Sequence, residues 1–467
     1  MRVRHLGNTA NNAFHNVCLL RRYEGIESTL PISMFGLGHG MSAPAWEVHD
    51  FAVPTAEWVS SPDWSMFPEA VAINSEYSDI AAPSVFGAEL DAHIIPDRFP
   101  RAMDWVRRNL VAPMRGKRWA EPIFDLRDRQ MLARRNELTE PDDHINMLYG
   151  GDSLAWVKMP RSPKRTVYLE HGTIRWSADG GADSRALRHA YRRQVKASQH
   201  LWVTNLDPRT LEIAEDLVPG RWSVLPHPFM PDERVPFATS QEARDELLAQ
   251  TRSQHLVLLP SSQNWSKQHD KGSIKALNAF VELRKRGIDV GLVAVEWGLQ
   301  LAESKEFLAK ARVGDNVAWI APMARFGLQR MMANVDVVWD QFGLDAFGAL
   351  ALRAMEQGTP LVSRGLAPIG EALIGGPVPW LNATTTDDIV RQTSGVLEDM
   401  VARGRDTVID ETRAVYRTWL LERHSPAITA ALQRELYDQL IDGSYSPGSA
   451  DPGRWAALLN TSRLENG

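Results

Sequence analysis

Short apolar stretches alternate with amphipathic stretches along most of the chain. Apolar runs suited to buried strands lie at 3–7, 145–149, 166–169, 201–204 and 222–225. Helical stretches follow the first run as far as Gly25 and recur at 186–196 and 209–217. Alternation of this kind is typical of a parallel sheet covered by helices. The pattern predicts one Rossmann-like α/β domain over residues 1–235.

The same alternation resumes after a polar segment at 237–254. Strands are predicted at 256–259, 290–295 and 317–320, and helices at 273–286 and 326–332. These elements predict a second Rossmann-like domain over residues 236–425. Beyond residue 389 the chain becomes helical, with helices at 415–421 and 427–441 and a final short helix after a Gly/Ser/Pro-rich stretch.

The stretch 336–362 reads DVVWDQFGLDAFGALALRAMEQGTPLV and joins a strand, an acidic loop, a helix and the next strand. Phe347 and Gly348 open the helix, and Gly358 ends it. Free N–H groups and the positive end of the helix dipole suit the helix start to an anion such as a diphosphate. Asp345, beside it, can accept hydrogen bonds from sugar hydroxyls. A diphosphate with a sugar attached satisfies both groups.

An asparagine-rich loop at 8–12 follows the first predicted strand. Gly7 allows close approach of a ligand to the backbone, and Asn8 and Asn11 offer donors and acceptors. The loop could hold a phosphate or an acceptor hydroxyl, and asparagine capping of the next helix is the structural alternative. Neither a GxGxxG nor a GxxxxGK[ST] motif is present in the chain.

The segment TVYLEHGTIR at 166–175 places His171, Gly172 and Arg175 just past an apolar strand. In an open parallel sheet this is the edge that faces ligands. A histidine here can hydrogen-bond a sugar hydroxyl, although a satisfied turn histidine is the alternative. The Gly-Thr pair after the histidine favours a functional interpretation.

Two further loops carry candidate ligand contacts. Lys267 and Lys271 lie in SSQNWSKQHDKGS, between a strand and a helix, where point charges suit a diphosphate. Lys271 is the better placed, because it immediately precedes the helix; ordinary surface lysines are the alternative. Glu296 closes the strand at 290–295 and could contact a base or a ribose, or simply cap the strand.

Composition narrows the functional classes. The chain has 467 residues, 44% hydrophobic content, a formal charge of −6 and a pI near 6.1, so no broad basic surface for nucleic acid is expected. Cys18 is the single cysteine, and no His/Cys/Glu cluster stands out, so neither a disulfide framework nor a metal site is predicted. The absence of an apolar signal core or spanning stretch predicts a cytoplasmic protein.

An irregular region at 58–140 contains a local basic patch, from Arg107 to Arg118. It could bind an anionic acceptor or attach the protein peripherally to the inner face of a membrane. A solvated helix face with its aromatic residues packed inward is the alternative.

Seven segments, in order, carry a resemblance to a known family. They are HLGNTANNAF at 5–14, EHGTIR at 170–175, VTNLD at 203–207, LPHP at 225–228, NWSKQHDKG at 264–272, VEWG at 295–298 and the stretch from 339 to 362. Together they resemble the retaining glycosyltransferases of family 4, over most of the chain. The resemblance implies the GT-B fold of two facing Rossmann-like domains, with residues 1–235 on the acceptor side, 236–425 on the donor side and helices in 426–467 crossing back to the first domain.

The resemblance also implies a metal-independent hexosyltransferase without a cofactor. The donor would be a nucleotide diphosphate sugar, and the acceptor a saccharide, a lipid-linked or a small molecule. Lys271, Lys267 and the helix start at 347–348 would oppose the charge that grows on the diphosphate. His171 would orient the donor sugar, Asp345 would hold its hydroxyls, and Gly7 with Asn8 would shape the acceptor side. The leaving phosphate would accept the acceptor's proton.

The chain departs from the family pattern in several places. The family often pairs an arginine with a lysine on the diphosphate, but the segment 260–265 contains no arginine, and Lys267 and Lys271 would share that role. The family places two acidic residues eight positions apart at the helix opening, the first on the donor sugar and the second on the ribose. Here these positions hold Asp345 and Arg353, which reverses the second charge, with Glu356 three residues further on. The reversal leaves open a catalytically silent relative that binds a nucleotide sugar or a partner protein. A nucleotide-sugar epimerase of the same fold is a separate alternative.

Overall fold

The computed structural model describes residues 1–8, 11–30, 43–54, 144–150, 165–172, 174–175, 185–265 and 270–447, with isolated positions at 58, 66–67, 69–70, 73, 129, 136–137 and 157–158. The predicted basic patch, the predicted final short helix and Lys267 lie outside the described residues.

The first domain contains a six-stranded parallel sheet in the order β2-β1-β4-β6-β7-β8. Its strands are β1 Arg2–Leu6, β2 Glu27–Thr29, β4 His144–Tyr149, β6 Thr166–Glu170, β7 His200–Val203 and β8 Trp222–Val224. A separate short pair is formed by β3 Asn136–Glu137 and β5 Val157–Lys158. The described helices are α1 Asn12–Glu24, α2 Pro44–Val48, α3 Arg185–Ala197 and α4 Pro208–Leu217. Every residue of β6 and β7 is buried, as expected of a sheet covered on both faces.

The second domain contains a second six-stranded parallel sheet in the order β11-β10-β9-β12-β13-β14. The strands are β9 His255–Leu259, β10 Val290–Val295, β11 Val317–Ile320, β12 Val337–Trp339, β13 Leu361–Ser363 and β14 Leu381–Asn382. The helices are α5 Gln241–Thr251, α6 Ser273–Lys285, α7 Leu301–Lys310, α8 Arg325–Asn334, α9 Ala349–Gln357, α10 Pro368–Leu373 and α11 Thr386–Arg403. The chain adds β10 and β11 on one side of β9, and then β12, β13 and β14 on the other side. The loops after the adjacent strands β9 and β12 therefore lie side by side at the ligand-facing edge.

The C-terminal helices connect the two domains. Helix α12 Arg405–Arg423 packs on α9 of the second domain, and α13 Pro426–Asp442 packs on α1 of the first. Gln433 of α13 donates to Asn16 Oδ1 at 2.9 Å, and the buried Tyr437 hydroxyl lies 2.8 Å from Met147 Sδ. The predicted α/β class, with two facing Rossmann-like domains and a returning helix, is confirmed as the GT-B fold.

Contacts also join the domains along one side of the cleft between them. Ala52 and Met323 form an isolated antiparallel bridge, and Arg330 of α8 makes hydrogen bonds of 2.6 and 2.7 Å to the Asp50 carboxylate. Within the described part of the chain, no helix is both long enough and apolar enough to span a membrane.

The polar segment at 237–254, to which the sequence analysis assigned no element, contains helix α5 at its centre. Few apolar residues mark this helix, and polar contacts hold it instead. Ser240 Oγ accepts a hydrogen bond from the Ala243 N–H at 3.3 Å, and the largely buried Arg244 lies 2.9 Å from the Asp336 carboxylate. Asp336, predicted as the first residue of a strand, serves this ion pair and precedes β12.

Candidate functional site

A cavity of about 450 Å³ lies in the cleft between the domains. Its walls come from the loops that follow β6, β9, β10 and β12 and from the start of α9. The predicted site residues that line it are His171, Arg175, Lys271, Phe347 and Gly348. Other polar or aromatic side chains in the wall include Trp46, Asn205, His227, Trp297, Asp340 and Gln341.

His171 follows β6, lines the cavity and has a neutral ring. Its Nδ1 lies 2.9 Å from Thr204 Oγ1, which itself donates to the main-chain oxygen of Glu170 at 2.8 Å. The Thr204 oxygen must therefore accept a hydrogen bond from His171 Nδ1–H, which leaves Nε2 as the unprotonated nitrogen. Burial, and secondarily His227, lower the pKa of His171 well below its ordinary value. Among the described residues, Nε2 has no hydrogen-bond partner.

Gly172 brings Arg175 into the same wall. Gly172 has a positive φ of 98°, and a Cβ there would lie 2.7 Å from Asn205 Nδ2 and 3.3 Å from Arg175 Nη2. Glycine is therefore needed for both the backbone conformation and the close approach of these side chains. Arg175 Nη1 lies 3.6 Å from Asp207 Oδ2, which is longer than a hydrogen bond. Gly172 thus positions the guanidinium without lining the cavity itself.

Lys271 enters the cavity from the second domain, just before α6. Its Nζ donates to Gln341 Oε1 at 3.1 Å. Burial lowers the pKa of Lys271, the Asp340 carboxylate opposes that change, and the Arg175 guanidinium adds to it. Lys271 therefore lies within electrostatic reach of an acidic side chain in its own domain and of a basic one in the other.

Asp340 and Gln341 are site residues that the sequence analysis missed. Asp340 directly follows β12 and is only 7% exposed. Burial raises the pKa of Asp340 to about 6, although Lys271 acts in the opposite direction. The available signal was their position directly after a predicted strand, the same signal that identified His171. Trp46 reaches the cavity from a distant part of the chain without such a local signal, whereas His227 follows β8 within the segment LPHP.

The loop after β12 and the start of α9 form the next part of the wall. Gly348 is the residue before α9 and has an extended backbone. Phe347 is anchored by aromatic packing, with its ring centroid 5.3 Å from that of Trp380 and 6.1 Å from that of Trp419. Asp345 forms an ion pair with Arg364 and does not itself line the cavity, whereas its neighbours Leu344 and Ala346 do.

The asparagine-rich loop is held by its own contacts. Asn8 Nδ2 donates to Asn11 Oδ1 at 2.8 Å, and Asn8 Oδ1 accepts from the Phe14 N–H at 3.0 Å. Gly7, Asn8 and Asn11 lie next to Asn12, which lines the cavity, but do not line it themselves. Asn8 thus satisfies an N–H of the first turn of α1, whereas Asn11, the N-cap residue, makes no side-chain capping bond. The acceptor-side role of the loop stays a prediction.

Glu296 lies at the edge of the cavity. It forms a 2.5 Å ion pair with Lys305, while its neighbours Val295 and Trp297 line the wall. Trp297 Nε1 donates to the Pro260 main-chain oxygen at 3.0 Å, which fixes the indole over the loop after β9. The predicted contact of Glu296 with a base or ribose stays a prediction.

Arg353 lies in a buried ionic cluster between the domains. Its Nη2 is 3.2 Å from Glu47 Oε2 of the first domain, and its Nη1 is 3.1 Å from Glu356 Oε2. His15 and Arg325 complete the cluster around the same two carboxylates. Arg353 is 5% exposed and does not line the cavity. The charge that differs from the family pattern is thus neutralised by acidic partners on both sides of the cleft.

Comparison with known proteins gives partial matches. No protein-family model matches the chain. A stretch of 175 residues is 26% identical to 2-deoxystreptamine glucosyltransferase of Streptomyces kanamyceticus, and it covers 37% of this chain and 43% of that protein. The match therefore spans less than half of that protein.

Three solved structures illustrate the structural similarity. A glycosyltransferase from Rickettsia africae ESF-5 has a TM-score of 0.49 and 9% identity, over 94% of this chain and 98% of that one. Anabaena HepE in complex with UDP-glucose has a TM-score of 0.45 and 14% identity, over 63% and 78% of the two chains. WaaG, a glycosyltransferase of lipopolysaccharide biosynthesis, has a TM-score of 0.42 and 16% identity, over 62% and 77%.

Proposed function

We propose that the protein is a GT-B glycosyltransferase that transfers a sugar from a nucleotide diphosphate sugar to an acceptor hydroxyl, with retention at the anomeric carbon. The observation that carries this proposal is the interdomain cavity. It combines cationic groups and a helix start in its wall with the neutral ring of His171, whose unprotonated Nε2 has no partner among the described residues. The partial sequence match to a glucosyltransferase supports the same class of enzyme.

The diphosphate is assigned to the region around Lys271 and the start of α9. The carboxyl edges of β9 and β12 meet there, at the point where strand order reverses, which is the usual ligand position in a doubly wound sheet. Lys271 supplies a full charge, and the first N–H groups of α9 supply oriented dipoles. Both stabilise negative charge that develops on the leaving diphosphate, which is the main catalytic task in this reaction.

The sugar is assigned to the region around His171. Because Nε2 is an acceptor, it requires a donor such as a sugar hydroxyl, rather than an anion. Asp345 keeps its proposed role at the sugar through the loop after β12, in which Leu344 and Ala346 line the cavity while Asp345 itself pairs with Arg364. The leaving phosphate would take the acceptor's proton, so the reaction needs no dedicated side-chain base and no metal ion.

The catalytically silent alternative depended on Arg353. Since Arg353 is paired with Glu47 and Glu356 and lies outside the cavity wall, its charge does not oppose a donor in the cavity. The acceptor class, a cytoplasmic location and peripheral membrane contact through 107–118 remain predictions from the sequence.

Calorimetry with UDP, GDP, ADP and dTDP, in EDTA, tests the donor site. We expect selective binding of one diphosphate and slow hydrolysis of the corresponding sugar nucleotide. The anomeric form of the first-released sugar, followed by NMR, then tests retention. Failure of all four nucleotides to bind would contradict the proposal, and binding without hydrolysis or transfer would favour the silent relative.

A further inference from the structure

We propose that Arg175 of the first domain binds the donor diphosphate together with Lys271 of the second domain, so that the anion bridges the cleft. This inference rests on the proposed function and extends it to a residue role. It assigns to the first domain a cation that the donor domain would otherwise have to supply.

Among the described residues of the second domain, Lys271 is the only cation that lines the cavity. The loop after β9, residues 260–265, contains no arginine. Among the described residues that line the cavity, the arginine is Arg175 and the lysine is Lys271. A diphosphate carries at least two negative charges, and a planar guanidinium can bind two phosphate oxygens at once. Arg175 therefore has the chemistry that Lys271 alone does not provide.

The guanidinium of Arg175 is incompletely used within the protein. Its Nε is buried and has no hydrogen-bond partner among the described residues. Its nearest carboxylate, Asp207, is already engaged as the cap of α4, where it accepts from Thr210 N at 3.0 Å and from Thr210 Oγ1 at 2.6 Å. A buried donor without a partner is costly, and the protein offers the guanidinium only the 3.6 Å contact to Asp207 in return.

Two other arginines between the domains are paired with carboxylates of the chain. Arg330 makes two short hydrogen bonds to Asp50, and Arg353 reaches two carboxylates. Both hold the domains together through partners within the chain. Arg175 faces the cavity with an 18% exposed side chain and only a 3.6 Å contact to a carboxylate, as expected of a group whose partner is a ligand.

Arg175 and Lys271 also affect each other across the cleft. The Arg175 charge contributes to the lowered pKa of Lys271, so the two cations repel each other in the free protein. An anion placed between them adds two attractions that outweigh this repulsion. Since the cations belong to different domains, diphosphate binding would favour the closed cleft, and release of the diphosphate would favour its opening.

Calorimetry with matched nucleotides tests the bridge. The probe is UDP with UMP as its monophosphate, or the corresponding GDP, ADP or dTDP pair if the wild type prefers one of those. We expect Arg175→Ala to weaken diphosphate binding by about 10- to 100-fold, the range for one hydrogen bond to a charged group. Monophosphate binding should change less than about threefold, and Arg175→Lys should restore part of the loss.

Arg193→Ala is the matched control, because Arg193 is exposed on α3 of the same domain. It should bind both nucleotides as the wild type does. Small-angle scattering provides a second measurement: the diphosphate should compact the wild type but not Arg175→Ala. If Arg175→Ala does not fold, Arg175→Gln takes its place in the calorimetry, with the same expected loss of diphosphate binding.

The outcomes separate the two proposals. Wild-type diphosphate binding by Arg175→Ala would overturn the bridge and leave the proposed function standing. Equal losses for diphosphate and monophosphate would overturn the specific role of Arg175 at the diphosphate. Absence of nucleotide binding by the wild type would overturn the proposed function, and the bridge with it.

Discussion

Asp340 and Lys271 bring opposite charges into the same buried part of the cavity. Burial raises the pKa of Asp340 to about 6 and lowers that of Lys271, and each residue opposes the shift of the other. The pair therefore keeps a cation available in the cavity but leaves one carboxylate that changes charge near neutral pH. The two residues carry separate, testable consequences.

Lys271→Ala should slow transfer or donor hydrolysis, because it removes roughly 2 to 4 kcal/mol of transition-state stabilisation, comparable to losing one oxyanion donor. The reason is that Lys271 faces the assigned diphosphate region and donates only to Gln341 among the hydrogen bonds of its side chain in the described structure. Steady-state kinetics measure the effect. Lys285→Ala, at the exposed end of α6, is the control and should be neutral. Wild-type turnover by the Lys271 variant would contradict the assignment.

Asp340→Asn should stabilise the protein at alkaline pH and have little effect in acid. The folded pKa of about 6 lies above the ordinary 3.8, so the folded state binds more protons than the unfolded state between these values. Stability from this group is full below pH 3.8 and falls as pH rises through 6, by on the order of 2 to 3 kcal/mol. Urea unfolding should show that the free energy of unfolding of the variant exceeds that of the wild type by more at pH 8 than at pH 5. An equal difference at both pH values would refute the raised pKa of Asp340.

The sequence identified some site residues and not others for a physical reason. His171, Arg175 and Lys271 lie directly beside predicted strand or helix ends, so local periodicity was sufficient to find them. Asp340 has the same kind of position but was assigned no role. Arg353 could not be placed from sequence, because its partner Glu47 lies 306 residues earlier and reaches it only through domain packing.

Two loops of the second domain pack backbone against backbone beneath Lys271. A Cβ at Gly272 would lie 2.7 Å from the carbonyl carbon of Phe342, and a Cβ at Gly343 would lie 2.4 Å from the main-chain oxygen of Asp270. The Phe342 N–H also donates to the Lys271 main-chain oxygen at 2.7 Å. The position of Lys271 thus depends on the absence of side chains at two points between α6 and the loop after β12.

Gly272→Ala should therefore reduce both stability, by about 1 to 3 kcal/mol, and turnover. Gly287→Ala is a close control, since both glycines have φ of +78° but a Cβ at Gly287 meets nothing within 4 Å. Both variants carry the backbone strain, and only the first carries the clash. Unfolding and kinetic measurements on the two variants separate these effects. Equal losses would mean that loop packing does not position Lys271.

At the level of elements, long buried strands were predicted to within about one or two residues, because their apolar runs are continuous. The polar helix α5 was missed, since its stability comes from a cap and from Arg244 rather than from an apolar face. The short edge strands β2 and β14 were also missed, because two or three residues are too few to show a period.

At the scale of the whole molecule, helix α13 completes the first domain although it follows the second domain in sequence. Tyr437→Ala should destabilise the first domain by about 3 to 5 kcal/mol, since the ring is fully buried against α1 and β4. Hydrogen exchange should show lost protection in β1 and β4 and little change in β9 and β10. Tyr23→Ala, at an exposed position of α1, is the control.

Uniform loss of protection in both sheets would instead mean that the domains unfold as one unit. The two-domain arrangement itself was predictable, because strand–helix alternation occurs in two series separated by a polar segment. The cleft geometry was not, since it is determined by contacts such as Asp50 with Arg330 between residues 280 positions apart.

The position of α13 also affects the order in which the nascent chain can mature. The second domain is continuous in sequence and can fold as soon as it leaves the ribosome. The first domain must wait for about 190 further residues before α13 arrives, which takes roughly 10 to 40 s at ordinary elongation rates. During that interval the apolar face of α1 is uncovered. We expect this face to be the surface on which chaperones act during biosynthesis.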